Sequence, residues 1–208
     1  MGRTALSAED RTAFREAVRE VATRRFAAHG EAGVTMRGLA EELGCSPMTP
    51  YKYFADRDEI FTMVRLAAIE AFVAAQHACD DVADPVERLR ARGRAYVGFA
   101  TAHPDQYRVM FQLDRHGKRE PAEIAKQDRR TWGPLHDDLT AAIEAGAFHG
   151  DASELAHAFW AVVHGLASLH LAGKLQRGRD LASLVEPTLD LLVAGARSAT
   201  PSTRRRTR

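Results

Sequence analysis

The alternation of apolar and polar positions along the chain predicts helix after helix. Ser7, with Asp10 three residues on, reads as a helix start in which each side chain reaches the other's backbone N–H. Phe14, Ala17, Val18, Val21, Ala22 and Phe26 then recur at helical spacing and Gly30 follows as a stop, which gives one long amphipathic helix over 8–29. "EAGVT" is a turn, and Thr35 caps a short helix over 36–43 whose inner face is Met36, Leu39, Ala40 and Leu43. Gly44 suits a position past a helix end that needs positive φ. Ser46 is expected to cap a third helix with Pro47 at its first position, where a missing N–H costs nothing. Pro50 forfeits the bond back to Ser46, so the first turn of that helix should be loose.

From Asp56 the run "DRDEIFTMVRLAAIEAFVAAQHA" is apolar on more than one side, the pattern of a helix buried between two bodies of structure. It reads as the connection between an N-terminal module and the rest. "CDDVADP" is a clear break, and further helices are expected over 86–102, 105–113 (after a turn at His103-Pro104), 122–145, 152–173 and 181–197. "DRHGKREP" is the most polar stretch and is expected to be a mobile loop, and "SATPSTRRRTR" a disordered, solvated end. Few strand patterns and no repeats are present. The expected fold is all-α: a three-helix N-terminal domain over 8–55, a larger C-terminal helical bundle over 56–198, and an Arg-rich tail over 199–208.

Composition narrows the function. A net charge of +1 over 208 residues offers no global basic excess, so any contact with a polyanion has to be local. Cys45 and Cys79 are far apart and form no CxxC, which argues against a disulfide framework or a structural zinc and for a reducing, cytoplasmic setting. "MGRTALSAED" has no signal-peptide core, Leu6 stands where a myristoylation signal needs Ser or Thr, and no apolar run reads as long enough to span a bilayer. No cofactor is expected. His136, Asp137 and Asp138 resemble an acid/base or metal cluster only on paper, because adjacent residues of a helix face different ways. The sequence has no HExxH, no paired Glu-x-x-His, no phosphate loop and no nucleophile motif, so an enzyme is not expected.

The stretch "TMRGLAEELGCSPMTPYKYF" is the exception to a plain helical bundle. Helix, glycine turn, helix is the geometry of a helix-turn-helix, whose second helix can enter the major groove of DNA. At 3.6 residues per turn Pro50 and Phe54 share an inner face with Cys45 closing the turn, while Thr49, Lys52 and Tyr53 share the outer face and Met48 and Tyr51 flank it. A hydroxyl, a cation and a phenol are groups that bind phosphate oxygens and base edges, and Thr35 and Ser46 would direct helix-start N–H groups at phosphate. On spacing alone, a surface hairpin with solvated Lys52 and Tyr53 stays open beside DNA binding.

"GVTMRGLAEELGCSPMTPYKYFADRDEIF" resembles the N-terminal domain of tetracycline-repressor (TetR/AcrR) regulators, through Gly33, Thr35, Leu39-Ala40, Leu43-Gly44, Ser46, Thr49, Tyr51, Phe54 and Ile60. Ala27 and Gly30 in the preceding helix extend the likeness over 11–71. It departs at Pro50, where that family commonly has a hydrophobic residue, and at Arg57, where it usually has lysine. The resemblance implies that Thr35, Thr49, Tyr51, Tyr53 and Arg57 contact phosphate or sugar, with Met48 and Lys52 as base readers. "HPDQYRVMF" resembles a segment seen in many such proteins, and "FWAVVHGLASLHLAGKL" a subgroup named for a Trp-His-Gly element, here Trp160, His164 and Gly165.

By the same resemblance the helices over 152–173 and 181–197 pair with their twofold mates in a homodimer, with Ala161, Gly165, Ala167 and Ala172 permitting close approach. Tyr96, Phe99, His103, Tyr107, Met110, Phe111, Trp132, His136, Trp160 and His164 are candidates to line an effector pocket, and the same residues would equally serve as core. The expectation is a homodimeric repressor, released from a near-palindromic double-stranded DNA operator by a small apolar effector. The alternative is a helical protein-interaction module with a degenerate helix-turn-helix.

Overall fold

The protein, seen in a computed structural model, is built from helices throughout its described residues, 7–112, 122–176 and 178–199. The expected loop over 114–121 and the tail beyond Ala199 lie outside them. The helices are α1 (Ala8–Gly33), α2 (Met36–Glu42), α3 (Arg57–His77), α4 (Pro85–Ala102), α5 (Pro104–Gln112), α6 (Ala122–Glu144), α7 (Ala152–Leu171) and α8 (Leu181–Ser198), with a 3₁₀ turn at Pro50–Lys52.

Helix starts coincide with short polar side chains. Ser7 and Asp10 form a reciprocal capping box, and Thr35 Oγ1 accepts from the Gly38 N–H. Asp84, Asp151 and Asp180 cap α4, α7 and α8 through their carboxylates. Each such cap satisfies N–H groups that the first helical turn leaves without a partner. Gly30 interrupts α1 at φ 65°, the left-handed region that glycine enters without steric cost, which is the stop expected there.

Packing divides the described residues into two compact units, 7–70 with 105–112 and 122–127, and 71–104 with 128–176 and 178–199. In the first unit α1 packs on α2 and α2 on the 3₁₀ turn, around Val18, Val21, Phe26, Leu39, Phe54 and Ile60. Phe26 and Phe61 meet edge to face at 6.2 Å. In the second unit α4, α7 and α8 pack mutually over a core of Val86, Leu89, Leu139, Phe148, Phe159 and Val193. Gly93 lets α4 approach α8 closely, since a Cβ there would lie 2.5 Å from Leu189 Cδ2.

The expectation that no run could span a bilayer fails at α3, which is long and apolar enough by length and composition. Its apolar side chains Ile60, Phe61, Val64, Ala68, Ile69, Phe72 and Val73 are nonetheless buried in the protein, as a core helix requires.

The second unit also encloses a polar network. Asp138, the residue singled out beside His136, accepts from Arg88 Nε at 2.6 Å and from Arg92 Nε, and both Asp138 and Arg92 are buried. Arg92 also donates to the Gln76 carbonyl at 2.6 Å and to Asp80 at 2.7 Å, and Arg88 donates to the Val82 carbonyl at 2.7 Å. The carboxylate is thus a structural anion that joins the end of α3 to α4 and α6. Removing one partner of a buried pair strands the other charge, at about 3–5 kcal/mol. Asp138→Ala should therefore lower the unfolding free energy by about that amount, read from the urea midpoint at constant slope.

The pH dependence has a definite sign. Hydrogen bonds from His77 and then Arg92 hold the Asp80 carboxyl below the usual carboxylate range. The unfolded chain takes up that proton first, so the stability Asp80 supplies is present above its ordinary value of about 3.9 and is lost as pH falls through the folded value. An Asp80→Asn variant should show a flatter loss of stability below about pH 4 than the unaltered protein, measured by urea melts across the acid range.

Candidate nucleic-acid interface

The candidate surface begins at α2, whose exposed N-cap Thr35 and exposed Arg37 flank the buried Met36, with Leu39 and Ala40 buried in the next turn. After Leu43 the chain reverses through Gly44 at φ 65°, and the Cys45 N–H returns to the Ala40 carbonyl at 2.9 Å. Beyond this reversal the chain does not form the helix expected from Ser46. The Thr49 N–H bonds to the Ser46 carbonyl, that of Lys52 to Thr49 and that of Tyr53 to Pro50, at 2.7, 3.0 and 3.0 Å. All three bonds reach back three residues, so only a 3₁₀ turn forms at Pro50–Lys52. The physical reason is Pro50, which has no N–H to close a four-residue bond to Ser46.

This short recognition segment has a dry side and a wet side. Pro50 and Phe54 are buried as expected, whereas Met48 and Tyr51 are 64% and 52% exposed and Lys52 is exposed with them. Ser46 is exposed, its Oγ accepting from the Met48 N–H at 3.4 Å, and Thr49 is half-buried. Tyr53, placed on the outer face by a 3.6-residue period, is instead half-buried with its ring stacked on Phe14 at 4.2 Å. A 3₁₀ turn advances three residues per turn rather than 3.6, which rotates the end of the segment inward. Tyr51 takes the outward position. Arg57 is exposed, spans the Phe61 ring at 5.3 Å and donates to the Glu31 carbonyl at 3.4 Å. Arg37 was missed in the sequence; a cation one residue inside a capped, exposed helix start was the signal that could have found it.

The candidate effector residues divide between the two units. Tyr107, Met110 and Phe111 are in the first, where Tyr107 and Phe111 rings lie 4.9 Å apart. The others are in the second, where they form a linked run. The Tyr96 hydroxyl and His164 Nδ1 share a hydrogen bond at 2.9 Å, the His164 and Trp160 rings lie 5.8 Å apart, and Trp160 meets Trp132 edge to face at 6.2 Å. Phe99 packs beside His103 at 5.2 Å, and Phe72 lies edge to face with both Tyr96 and Phe99. Burial keeps the His164 imidazole below its usual pKa, so it is neutral at pH 7. Trp132 and His136 border an open cleft of about 470 Å³ with Arg129, Gly133 and Ser153. A second cleft, of about 460 Å³, is bordered by Arg94, Val97, Gly98, Thr101, His170 and Val185, none of which the sequence singled out.

On α7 and α8 several apolar residues are exposed among polar ones such as Glu154, Glu186 and Asp190. Ala158, Ala161, Val162 and Leu169 are exposed on α7, and Pro187, Leu191 and Ala194 on α8, with Leu191 75% exposed. Ala167, expected on the close-approach side of α7, is fully buried in the unit's own interior and cannot belong to that face.

Comparison with known proteins agrees with this architecture. The family described as bacterial regulatory proteins, tetR family, matches residues 18–64, and that described as tetracyclin repressor-like, C-terminal domain, matches residues 89–192, half of the chain. The HTH-type transcriptional regulator Rv1816 of Mycobacterium tuberculosis is 27% identical over 141 residues, covering 61% of this chain and 56% of the relative. The chain thus spans little more than half the length of that curated relative. A protein of unknown function from Rhodococcus sp. RHA1 superposes with a TM-score of 0.78 at 26% identity, covering 89% of this chain and 96% of the other. A bacterial regulatory protein in the tetR family from Rhodococcus RHA1 has a TM-score of 0.74 at 22% identity, covering 90% and 98%. A capped α2, a glycine turn, a buried Pro50–Phe54 side and a helical second unit thus coincide with matches in both halves, and the chain belongs to the TetR family of bacterial regulatory proteins.

Proposed function

We propose that the protein is a homodimeric, ligand-responsive DNA-binding regulator of transcription that acts as a repressor. The observation that carries this is the recognition segment, which buries Pro50 and Phe54 while presenting Met48, Tyr51 and Lys52 to solvent. An exposed methionine and tyrosine ring leave apolar surface in water, and together with Lys52 they match the apolar, hydrogen-bonding and phosphate groups of a DNA groove. Residues 8–55 make up the DNA-binding domain in this reading, and residues 56–198 the effector and dimerisation domain. Met48 and Lys52 read bases. Thr35, Ser46, Thr49, Tyr51, Tyr53 and Arg57 hold the backbone, and Arg37 joins them as a further phosphate contact.

The exposed apolar residues of α7 and α8 support a seam between two copies, since such surface is costly in water and self-complementary about a twofold axis. Two copies also supply the second recognition segment that specificity over a genome demands. The effector would be a small, mostly apolar molecule received beside the Tyr96–His164–Trp160–Trp132 run, where a neutral imidazole and a phenol offer hydrogen bonds within an aromatic surround. In this reading the C-terminal half is of the Trp-His-Gly subgroup type, which the run Trp160, His164 and Gly165 supports.

The first test is selection of duplexes from a random-sequence pool by the purified protein, together with binding to the DNA that flanks its own coding region. Lys52→Ala should cost about 1–3 kcal/mol on the selected duplex and relax preference at one or two base pairs. Arg57→Ala should weaken selected and random duplexes alike and flatten the salt dependence by about one unit. Equal losses for Lys52→Ala on both duplexes would remove it as a base reader.

For the seam, light scattering at micromolar concentration should give twice the chain mass. Leu191→Glu or Leu169→Glu should return it to a single chain and abolish binding to the selected duplex, because a charge directly across a twofold axis faces its own copy. A monomeric wild-type protein that still binds the selected duplex tightly would end the dimer proposal.

A further inference from the structure

The recognition segment is too short to hold itself. The backbone bonds from Thr49, Lys52 and Tyr53 reach back three residues, a single four-residue bond runs from the Phe54 N–H to the Pro50 carbonyl, and an isolated 3₁₀ turn has no propagation to repay its nucleation. Something outside it has to set its pitch, because base contacts demand side-chain placement to a fraction of an ångström.

A charged pair beneath the segment does this. Arg15, on α1, donates from Nη1 to the Tyr53 carbonyl at 2.6 Å, where the segment ends. Nη1 and Nη2 both donate to Glu59 Oε1 at 3.0 Å, and the guanidinium carbon lies 4.4 Å over the Phe54 ring. Glu59, on α3, accepts from the Ala55 N–H through Oε2 at 2.8 Å, while its own N–H bonds to Asp56 Oδ1 at 2.9 Å. One ion pair therefore holds the last carbonyl of the segment and the amide two residues later. Next to it the Phe14 ring stacks on Tyr53. Both charged side chains are about a third exposed, which would make an isolated pair worth little. Their several backbone bonds and the ring beneath set this pair apart.

We propose that the Arg15–Glu59 pair is the positioning element of the recognition segment: it fixes the pitch at which Met48, Tyr51 and Lys52 meet DNA without touching DNA itself. The proposal rests on the DNA-reading function. A lysine at position 15 would keep the charge, but a single ammonium cannot bond Tyr53 and both faces of the Glu59 contact while lying flat on Phe54. Glu59→Gln keeps an acceptor for Ala55 and loses the anion that draws Arg15 in.

The experiment uses the full chain with two probes, a duplex that the wild-type protein enriches from a random-sequence pool and an unselected duplex of the same length. Arg15→Gln, Arg15→Lys and Glu59→Gln should each bind the enriched duplex about tenfold more weakly, a loss on the scale of one base contact set wrongly. Binding to the unselected duplex should stay within about twofold and the salt slope should not change. Amide exchange at Tyr53 and Ala55 should quicken about tenfold in the same variants, with helix content and melting midpoint kept in Arg15→Lys. Recovery of binding by Arg15→Lys, with a slope lowered by about one in Arg15→Gln, would make Arg15 a phosphate contact and overturn the proposal. Equal losses on both duplexes, or unchanged exchange at both amides, would also overturn it. A wild-type protein that enriches no sequence would defeat the DNA-reading function instead, and the exchange rates would then decide alone whether the pair holds the segment.

Discussion

A carboxylate out of reach of water has to be surrounded by donors, and the second unit is organised around that demand. Asp138 takes its two oxygens to Arg88 and Arg92, and those arginines spend their remaining N–H groups on the Gln76 and Val82 carbonyls and on Asp80. Gln76 returns a bond from its amide to the Arg92 carbonyl. An apolar core of the same volume could be as stable, but it would not specify one register for the end of α3, α4 and α6. The geometry of the arginine fork does specify one, because its bonds are directional. The neighbouring apolar core combines Phe148 and Phe159 with smaller side chains such as Leu89, Ala142 and Val193.

The segment around Pro50–Lys52 obeys a different constraint. Proline at position 50 takes away the amide that would start an α-helix, and the segment compensates by leaning on α1 and α3 through Phe14, Arg15 and Glu59. A helix that stands by itself can be decorated freely on its outer side. A turn held from beneath cannot, since Tyr53 and Phe54 are committed to the support while Ser46, Pro47, Met48, Tyr51 and Lys52 remain outward. The shape of this outward surface thus depends on residues nearly forty positions upstream in the chain.

Much of this was legible in the sequence, for identifiable reasons. Ser7, Thr35 and Gly44 act within three or four residues of themselves, so spacing alone located the ends of α1 and α2 and the reversal after them. The apolar periodicity of 152–173 and 181–197 likewise sufficed for α7 and α8. What stayed hidden depends on partners distant in sequence or on a change of helical period. Asp138 looked like one acid in a His-Asp-Asp run because nothing local tells that its cations are 46 and 50 positions away. Tyr53 was set on the outer face because 3.6 residues per turn were assumed where the backbone uses three. Ala167 was counted with the outward small residues of α7, although the position it occupies on the helix circumference is the inner one.

Leu191 carries a consequence of another kind. A leucine three-quarters exposed in the middle of a helix would, once a second copy covered it, tie the stability of the fold to the amount of protein present. Whatever covers it by association binds only the folded chain, and mass action then adds a stabilising contribution that grows with the logarithm of concentration. For a chain that associates with itself, the melting temperature in a dilute cell extract and in a crystallisation drop would not be the same quantity. Thermal robustness would become a property of how many copies a cell keeps, set as much by the rate of synthesis as by the sequence.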